Sequence, residues 1–236
     1  MFHPERLIDG FVAKKSPDGI LIMPHGGCPM IYHEIYSRKV YNRVREIQKD
    51  DVVIDVGAHI GVFTLRAARR AVEGLVIAVE PHPLNYRLLM ENVKRNNLKN
   101  VVALNLALSN YNGTANLYES VFSGLHSLVT RKGKFVRVPV KTLDRMVEEL
   151  RIVKIDVIKI DVEGGELDVL KGAEKTLKRN HIHLAIAAYH TRTEAQELSA
   201  FLLDRNFKIA KSKYIDKNPH FPLRPREQIY IDAWKT

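Results

Sequence analysis

The sequence predicts an α/β fold, a doubly wound and mostly parallel sheet with a β-hairpin excursion after its third strand. Three observations predict it. Short β-branched runs alternate with helical patterns from Asp51 onward, the runs are apolar almost throughout, and a glycine turn follows the first of them. Strands covered on both faces lose the in-and-out alternation of a half-exposed sheet, so continuous apolar runs point to a parallel, buried one.

Residues 1–50 are expected to form an N-terminal extension packing on the core, with the apolar run GILIMPH and a helix over 34–48. The main domain, 51–236, then opens on the strand DVVIDV (51–56) and a helix over 62–71. LVIAVE (75–80) is the second strand, and a helix follows over 83–97, where Pro83 suits the first turn and Asn96 and Asn97 its end. VVALNL (101–106) is the third strand. Residues 107–142 break the alternation, and NGTANLYE and FVRVPVKT read as a hairpin. DVIKID (156–161), a helix over 165–179, HLAIAAY (183–189) and a helix over 192–205 resume the pattern. FKIAKS and QIYIDAW supply two last strands around a loop holding Pro219, Pro222 and Pro225.

With 45% apolar residues the chain builds a sizeable core, and its composition excludes a disordered or collagen-like protein. No apolar run reaches the length of a membrane-spanning helix, and the charged start MFHPERLIDG does not read as a signal peptide. Cys28 is the only cysteine, so no intrachain disulfide forms and a cytoplasmic location is expected. The net charge of +10 invites an anionic partner, nucleic acid among them.

Asp55, Gly57 and Gly61 fall on the strand-to-helix turn DVGAHIG, at the sheet edge where open parallel sheets bind ligands. Glycine allows the tight turn, and N–H groups there can face a polar ligand. His59 stands where dinucleotide sites carry a second glycine, which disfavours a pyrophosphate. Glu80 ends the second strand 19 residues after Gly61, where an acid can accept from ribose hydroxyls. The set points to an adenosine-bearing cofactor without a pyrophosphate.

These residues resemble the DxGxxxG motif of class I S-adenosylmethionine-dependent methyltransferases. The runs DVIKIDVEGGELDVLKGA (156–173), ALSN (107–110), EPHPLNYRLLMENV (80–93) and EIYSRKVYN before the first strand further resemble the FkbM family. The resemblance implies a Rossmann-like sheet, the class I methyltransferase fold, with S-adenosylmethionine as methyl donor and an oxygen acceptor on a natural product or sugar. It implies that Asp55, Gly57, Ala58, His59 and Gly61 cradle the cofactor's amino acid part. Glu80 would take the ribose with Pro81 beside it, and Asn105, Ala107 and Leu108 would line the adenine. Asp161 and Glu163 would lie beside the transferring methyl. The chain departs from the pattern at His59 and at Ala188, two places before His190, where many members carry an acid.

Asp161, Glu163 and His190 are expected on neighbouring strand ends, with His190 or Asp161 as general base and Glu163 orienting the acceptor or the methionine amine. Asp161 and Glu163 also suit the start of the following helix. The same three side chains could hold one divalent ion, but no metal is assigned. His25, Cys28 and His33 match no zinc spacing. Tyr32, Tyr36 and Tyr41 suit a packed helix face or a cover over the cleft.

The reading is therefore a methyltransferase acting on a small-molecule, sugar or lipid-linked acceptor. RNA is the alternative acceptor, suggested by Arg131, Lys132, Lys134 and Arg137 in the excursion and by Lys208, Lys211, Lys213 and Lys217. The C-terminal lysines also suit a solvated sheet edge. A nicotinamide-dependent oxidoreductase and a non-catalytic nucleic-acid binder are the alternatives from other classes.

Overall fold

The computed structural model describes residues 10–24, 32–38, 40–41, 45–119, 128, 133–179, 181–215 and 227–235. The chain opens on a hairpin, β1 (Phe11–Ser16) and β2 (Gly19–Pro24), followed by a π-helical turn His33–Arg38. Then come β3 (Val52–Val56), α1 (Val62–Arg70), β4 (Leu75–Val79), α2 (Pro83–Arg95) and β5 (Val101–Leu104). β6 (Ala107–Leu108), β7 (Gly113–Tyr118) and β8 (Phe135–Lys141) form the excursion. The chain continues through α3 (Leu143–Glu149), β9 (Val157–Ile160), α4 (Glu166–Lys171), β10 (His183–Ala187), α5 (Glu194–Leu203), β11 (Lys208–Ile215) and β12 (Glu227–Trp234).

Seven strands make the main sheet in the order β11-β12-β10-β9-β3-β4-β5, and only β12 runs against the others. Alternate residues of each strand feed two separate cores. Ile54, Val56, Ile77, Val79, Ile158 and Ile160 pack one face against α3, α4 and α5. Val53, Val76, Ala78, Val157 and Ala185 pack the other against α1, α2 and the N-terminal hairpin. That is the doubly wound α/β architecture expected, with the hairpin sheet β6-β8-β7 set beside it.

Leu21, Ile22, Met23, Val40, Tyr41 and Ile47 of the N-terminal segment share the second core. Two asparagines one turn apart, Asn92 in α2 and Asn96 at its end, hold the hairpin there. Asn92 accepts from Ile22 N at 2.6 Å and donates to Ile22 O, while Asn96 accepts from Ile20 N at 2.8 Å and donates to Ile20 O. The side-chain amides thus serve β2 as a neighbouring strand would.

Four expectations need correction. The helix over 34–48 is absent where the chain is described: only the turn His33–Arg38 is helical, and 45–48 are irregular. The helix over 165–179 stops at Lys171, because Gly172 abuts Ser109 O, where a Cβ would come within 2.1 Å, and Asp144 caps a separate turn through Thr176 N. α3, β1 and β2 were not expected. The third strand ends at Leu104, and Ala107 and Leu108 belong to β6. Cys28, His25, Arg131, Lys132, Lys217 and the three prolines after residue 218 lie outside the described residues, as does the side chain of His33.

Candidate active site

β3 lies between β4 and β9, and the chain turns outward on each side of it, so the carboxyl ends of β3 and β9 form the switch point of the sheet. The register sets Asp55 opposite Lys159 and Val56 opposite Ile160, and Asp161 N donates to Val56 O at 3.1 Å. Gly57 sits at φ +75°, where a Cβ would lie 1.8 Å from Asp161 O. Only glycine lets the two strand ends meet.

Beneath this turn Asp55 is fully buried, its Oδ2 accepting from Thr64 Oγ1 at 2.6 Å and its Oδ1 lying 3.1 Å from Lys159 Nζ. Lys159 also donates to Gly57 O at 2.7 Å. Burial disfavours its ammonium, but the charges of Asp55 and Asp161 outweigh that and hold the pKa above its ordinary value. Asp55 therefore shapes the loop from below rather than facing the cleft.

The expectation that the turn leaves its N–H groups free is also corrected. Gly57 and Ala58 both donate to Val79 O at 3.0 Å, His59 to Glu80 Oε2 at 2.8 Å, and Gly61 to Ala58 O at 2.9 Å. The turn crosses over β4 and uses those groups to brace itself, with His59 in the left-handed region at φ +53°.

Glu80, 5% exposed, receives His59 N on one oxygen and His82 N, at 2.9 Å, on the other. Burial pushes its carboxyl up to about 7 against those two backbone hydrogen bonds. Asn105 Nδ2 donates to the carbonyls of Glu80 and Pro81, each at 2.9 Å, and so fixes the loop after β4. Ala107 packs with Leu117, Val138 and Val140, and Leu108 joins the main core.

The remaining candidates converge. His190, just after β10, places Nε2 3.6 Å from Asp161 Oδ1 and 3.6 Å from Glu163 Oε2. Its Nδ1 lies 3.2 Å from Glu166 Oε1 and 3.3 Å from Glu194 Oε2. Burial works against an imidazolium here, but Glu166 and Glu194, with Asp161 behind them, push the ring up to about 12. A ring so placed holds its proton at neutral pH, which leaves Asp161 as the better base of the two expected.

The helix after β9 starts at Gly165, and neither Asp161 nor Glu163 caps it. Glu166 closes the turn instead, accepting from Val162 N at 2.8 Å and Gly164 N at 3.0 Å. Glu163 adopts φ +58°, an unfavourable conformation for a residue with a side chain.

Three site residues escaped the sequence reading, and a fourth, Tyr41, was expected only on a packed helix face or in a cover over the cleft. Tyr41 donates its Oη to Asp161 Oδ2 at 2.8 Å, which brings the N-terminal segment into the site. Lys159 was visible as the lone charge in the apolar run VIKI, and Glu194 as the acid four residues after His190. Glu166 gave no separate signal beside Glu163.

These residues fit an adenosyl sulfonium cofactor. A buried carboxylate ends the second strand, a glycine turn leads from the first, and Asp161 Oδ1 is buried without a hydrogen-bond partner at the fourth strand's edge. Residues 55–209 match the methyltransferase FkbM domain. The chain belongs to the FkbM family.

This FkbM-family chain is 28% identical over 217 residues to methyltransferase sdnD of Sordaria araneosa, covering 78% of this chain and 83% of that one. It is 28% identical over 188 residues to hexuronic acid methyltransferase AglP of Haloferax volcanii, covering 78% and 74%. Its fold resembles M. jannaschii TYW2 in complex with AdoMet, at TM-score 0.53 and 18% identity over 97% of this chain and 87% of that one. The FkbM-family enzyme is thus a methyltransferase, its donor is S-adenosylmethionine, and the oxidoreductase and non-catalytic readings are not favoured. Among the described residues no helix is long and apolar enough to cross a membrane.

Proposed function

We propose that this methyltransferase transfers its methyl group to a hydroxyl oxygen of a small anionic acceptor, a sugar acid or a lipid-linked sugar among them. The observation that carries the reading is the convergence of Asp161, Glu163 and His190 beside the Gly57 turn. Support for an anionic acceptor comes from the +10 charge and from the Haloferax relative, whose name is that of a hexuronic acid methyltransferase.

When bound, S-adenosylmethionine supplies the methyl group as an electrophilic sulfonium. In the proposal Gly57, Ala58, His59 and Gly61 form the wall against its amino acid part, with Asp55 positioning that wall through Lys159. Glu80 accepts from the ribose, Pro81 lies beside it, and the strip from Asn105 through Ala107 and Leu108 borders the adenine. Asp161 takes the acceptor's hydroxyl proton on Oδ1 while Tyr41 holds Oδ2. Glu163 orients the acceptor, and His190 keeps the carboxylates in place. Alignment of oxygen with the methyl carbon supplies much of the rate, and proton removal a further factor of about 10² to 10⁴.

The test is transfer of labelled methyl to a panel of hexuronic acids, neutral sugars, lipid-linked sugars and RNA. Label in an ether on a sugar hydroxyl is the expected result, and label on RNA alone would overturn the reading. Asp161→Asn is expected to lower turnover by about 10² or more while leaving S-adenosylhomocysteine affinity within a few-fold.

RNA has weaker support. Lys208, Lys211 and Lys213 lie exposed along β11, the edge strand of the sheet, and Arg137 is engaged with Thr114 Oγ1.

A further inference from the structure

We propose that Asp161, Glu163 and His190 form a divalent-cation site, with Nε2, Oδ1 and Oε2 as its protein ligands. The sequence alone assigned no metal, and three features of the folded site change that reading.

The first is spacing. Oδ1 of Asp161 and Oε2 of Glu163 each stand 3.6 Å from Nε2, and the three ligand atoms lie within 4.8 Å of one another. That is too long for a hydrogen bond. Ligands at about 2.1 Å from one small cation stand roughly 3 to 3.5 Å apart, close to the two distances from Nε2.

The second is unmet bonding at a buried place. The His190 side chain is 8% exposed, yet neither ring nitrogen makes a hydrogen bond, and neither does Asp161 Oδ1. Buried polar atoms are rarely left so. Asp161 Oδ2 is already taken by Tyr41, which leaves Oδ1 for the cluster. Glu163, at φ +58° beside Gly164 at φ +97°, is held in a costly backbone conformation that brings its carboxylate to Nε2.

The third is the outer ring of groups. Nδ1 lies 3.2 Å from Glu166 Oε1 and 3.3 Å from Glu194 Oε2, acids that orient the ring, and a cation would take the place of the proton that Nε2 otherwise turns toward Asp161 and Glu163. Metal-bound histidines are oriented in this manner by acids on their other nitrogen. Glu166 and Glu194 are poorer ligands themselves, since their oxygens accept from Val162, Gly164 and His190 N–H groups. Four carboxylates thus surround one imidazole, while Lys159 is committed to Asp55 and Gly57. A divalent cation balances that charge.

The inference deepens the O-methylation reading and rests on it for its purpose. A cation here would hold the acceptor oxygen and lower its pKa, so that the proton leaves to solvent and Asp161 Oδ1 serves as a ligand in place of a base, and it would allow an anionic acceptor into an otherwise acidic site. Cation binding itself needs no acceptor, so it is measured apart from turnover. Mn²⁺ is titrated calorimetrically into the chelator-treated full chain, without cofactor, and the bound ion is followed by electron paramagnetic resonance. The expected result is one Mn²⁺ per chain, weakened about tenfold or more in Glu163→Gln and in His190→Gln. Glu163→Gln is isosteric and is expected to retain its fold, which circular dichroism checks, so the test stays decisive if the histidine variant unfolds. No binding of Mn²⁺, Mg²⁺ or Zn²⁺ below about 1 mM, or affinity unchanged in Glu163→Gln, overturns the site. Methyl transfer to a sugar hydroxyl that persists unchanged in chelator would leave the O-methylation reading standing and this one refuted.

Discussion

At the scale of single residues, two buried ionisable groups, Glu80 and Lys159, stand beside the glycine turn. Glu80 titrates near 7 because burial penalises its carboxylate. In the proposed site an ionised Glu80 would accept from both ribose hydroxyls, whereas a protonated one has an acceptor fewer, and about a tenth is ionised at pH 6 against nine tenths at pH 8. S-adenosylhomocysteine is therefore expected to bind up to about tenfold more tightly at pH 8 than at pH 6, and Glu80→Gln to flatten that profile in calorimetry. Lys159 answers to a different term. Lys159→Met leaves Asp55 charged, buried and facing only Thr64, a change worth about 3 to 5 kcal/mol of stability. Pairing it with Asp55→Asn is expected to restore most of the loss in denaturant melts.

Among elements, the N-terminal hairpin depends on α2. Asn92 is fully buried and makes three hydrogen bonds, to Ile22 N, Ile22 O and Ile60 O. Asn92→Ala is expected to cost about 1 to 3 kcal/mol and to raise amide exchange at Ile20 and Ile22 ahead of β3 and β9. The element scale also shows what the sequence could reveal. Strands β3, β4, β9 and β10 were legible because burial on both faces leaves runs such as VVIDV and HLAIA almost wholly apolar. α3 was not, because LDRMVEE is short and its cap, Thr142 accepting from Arg145 N, resembles any turn. β1 was hidden because FVAKKS turns its lysines to solvent. The helix expected over 34–48 gave way to a tertiary contact, Tyr41 to Asp161, that periodicity cannot register. The glycine turn, Glu80, Asp161 and His190 carried motif signals, whereas the acids behind His190 act through space and became apparent only with the fold.

For the whole molecule, the +10 charge and the acidic cluster pull in opposite directions. The basic surface would draw the proposed anionic acceptor toward the enzyme over a Debye length, and the local carboxylates would repel it at close range. KM for an anionic acceptor is expected to rise several-fold as salt goes from about 0.05 to 0.3 M, with kcat little changed, while a neutral acceptor shows no such trend.

The order of the sheet bears on how the protein is made. β12 comes last among its strands in the chain, yet it is inserted between β10 and β11 and carries Tyr230, which packs edge-on against Tyr41 and Tyr189. During synthesis β10 waits with an open edge until β12 has left the ribosome, and the aromatic support beside Asp161 waits with it. The cleft is thus assembled only after the sheet has received its last strand, so a chain interrupted before Glu227 would be both inactive and prone to pair its exposed edge with a neighbour.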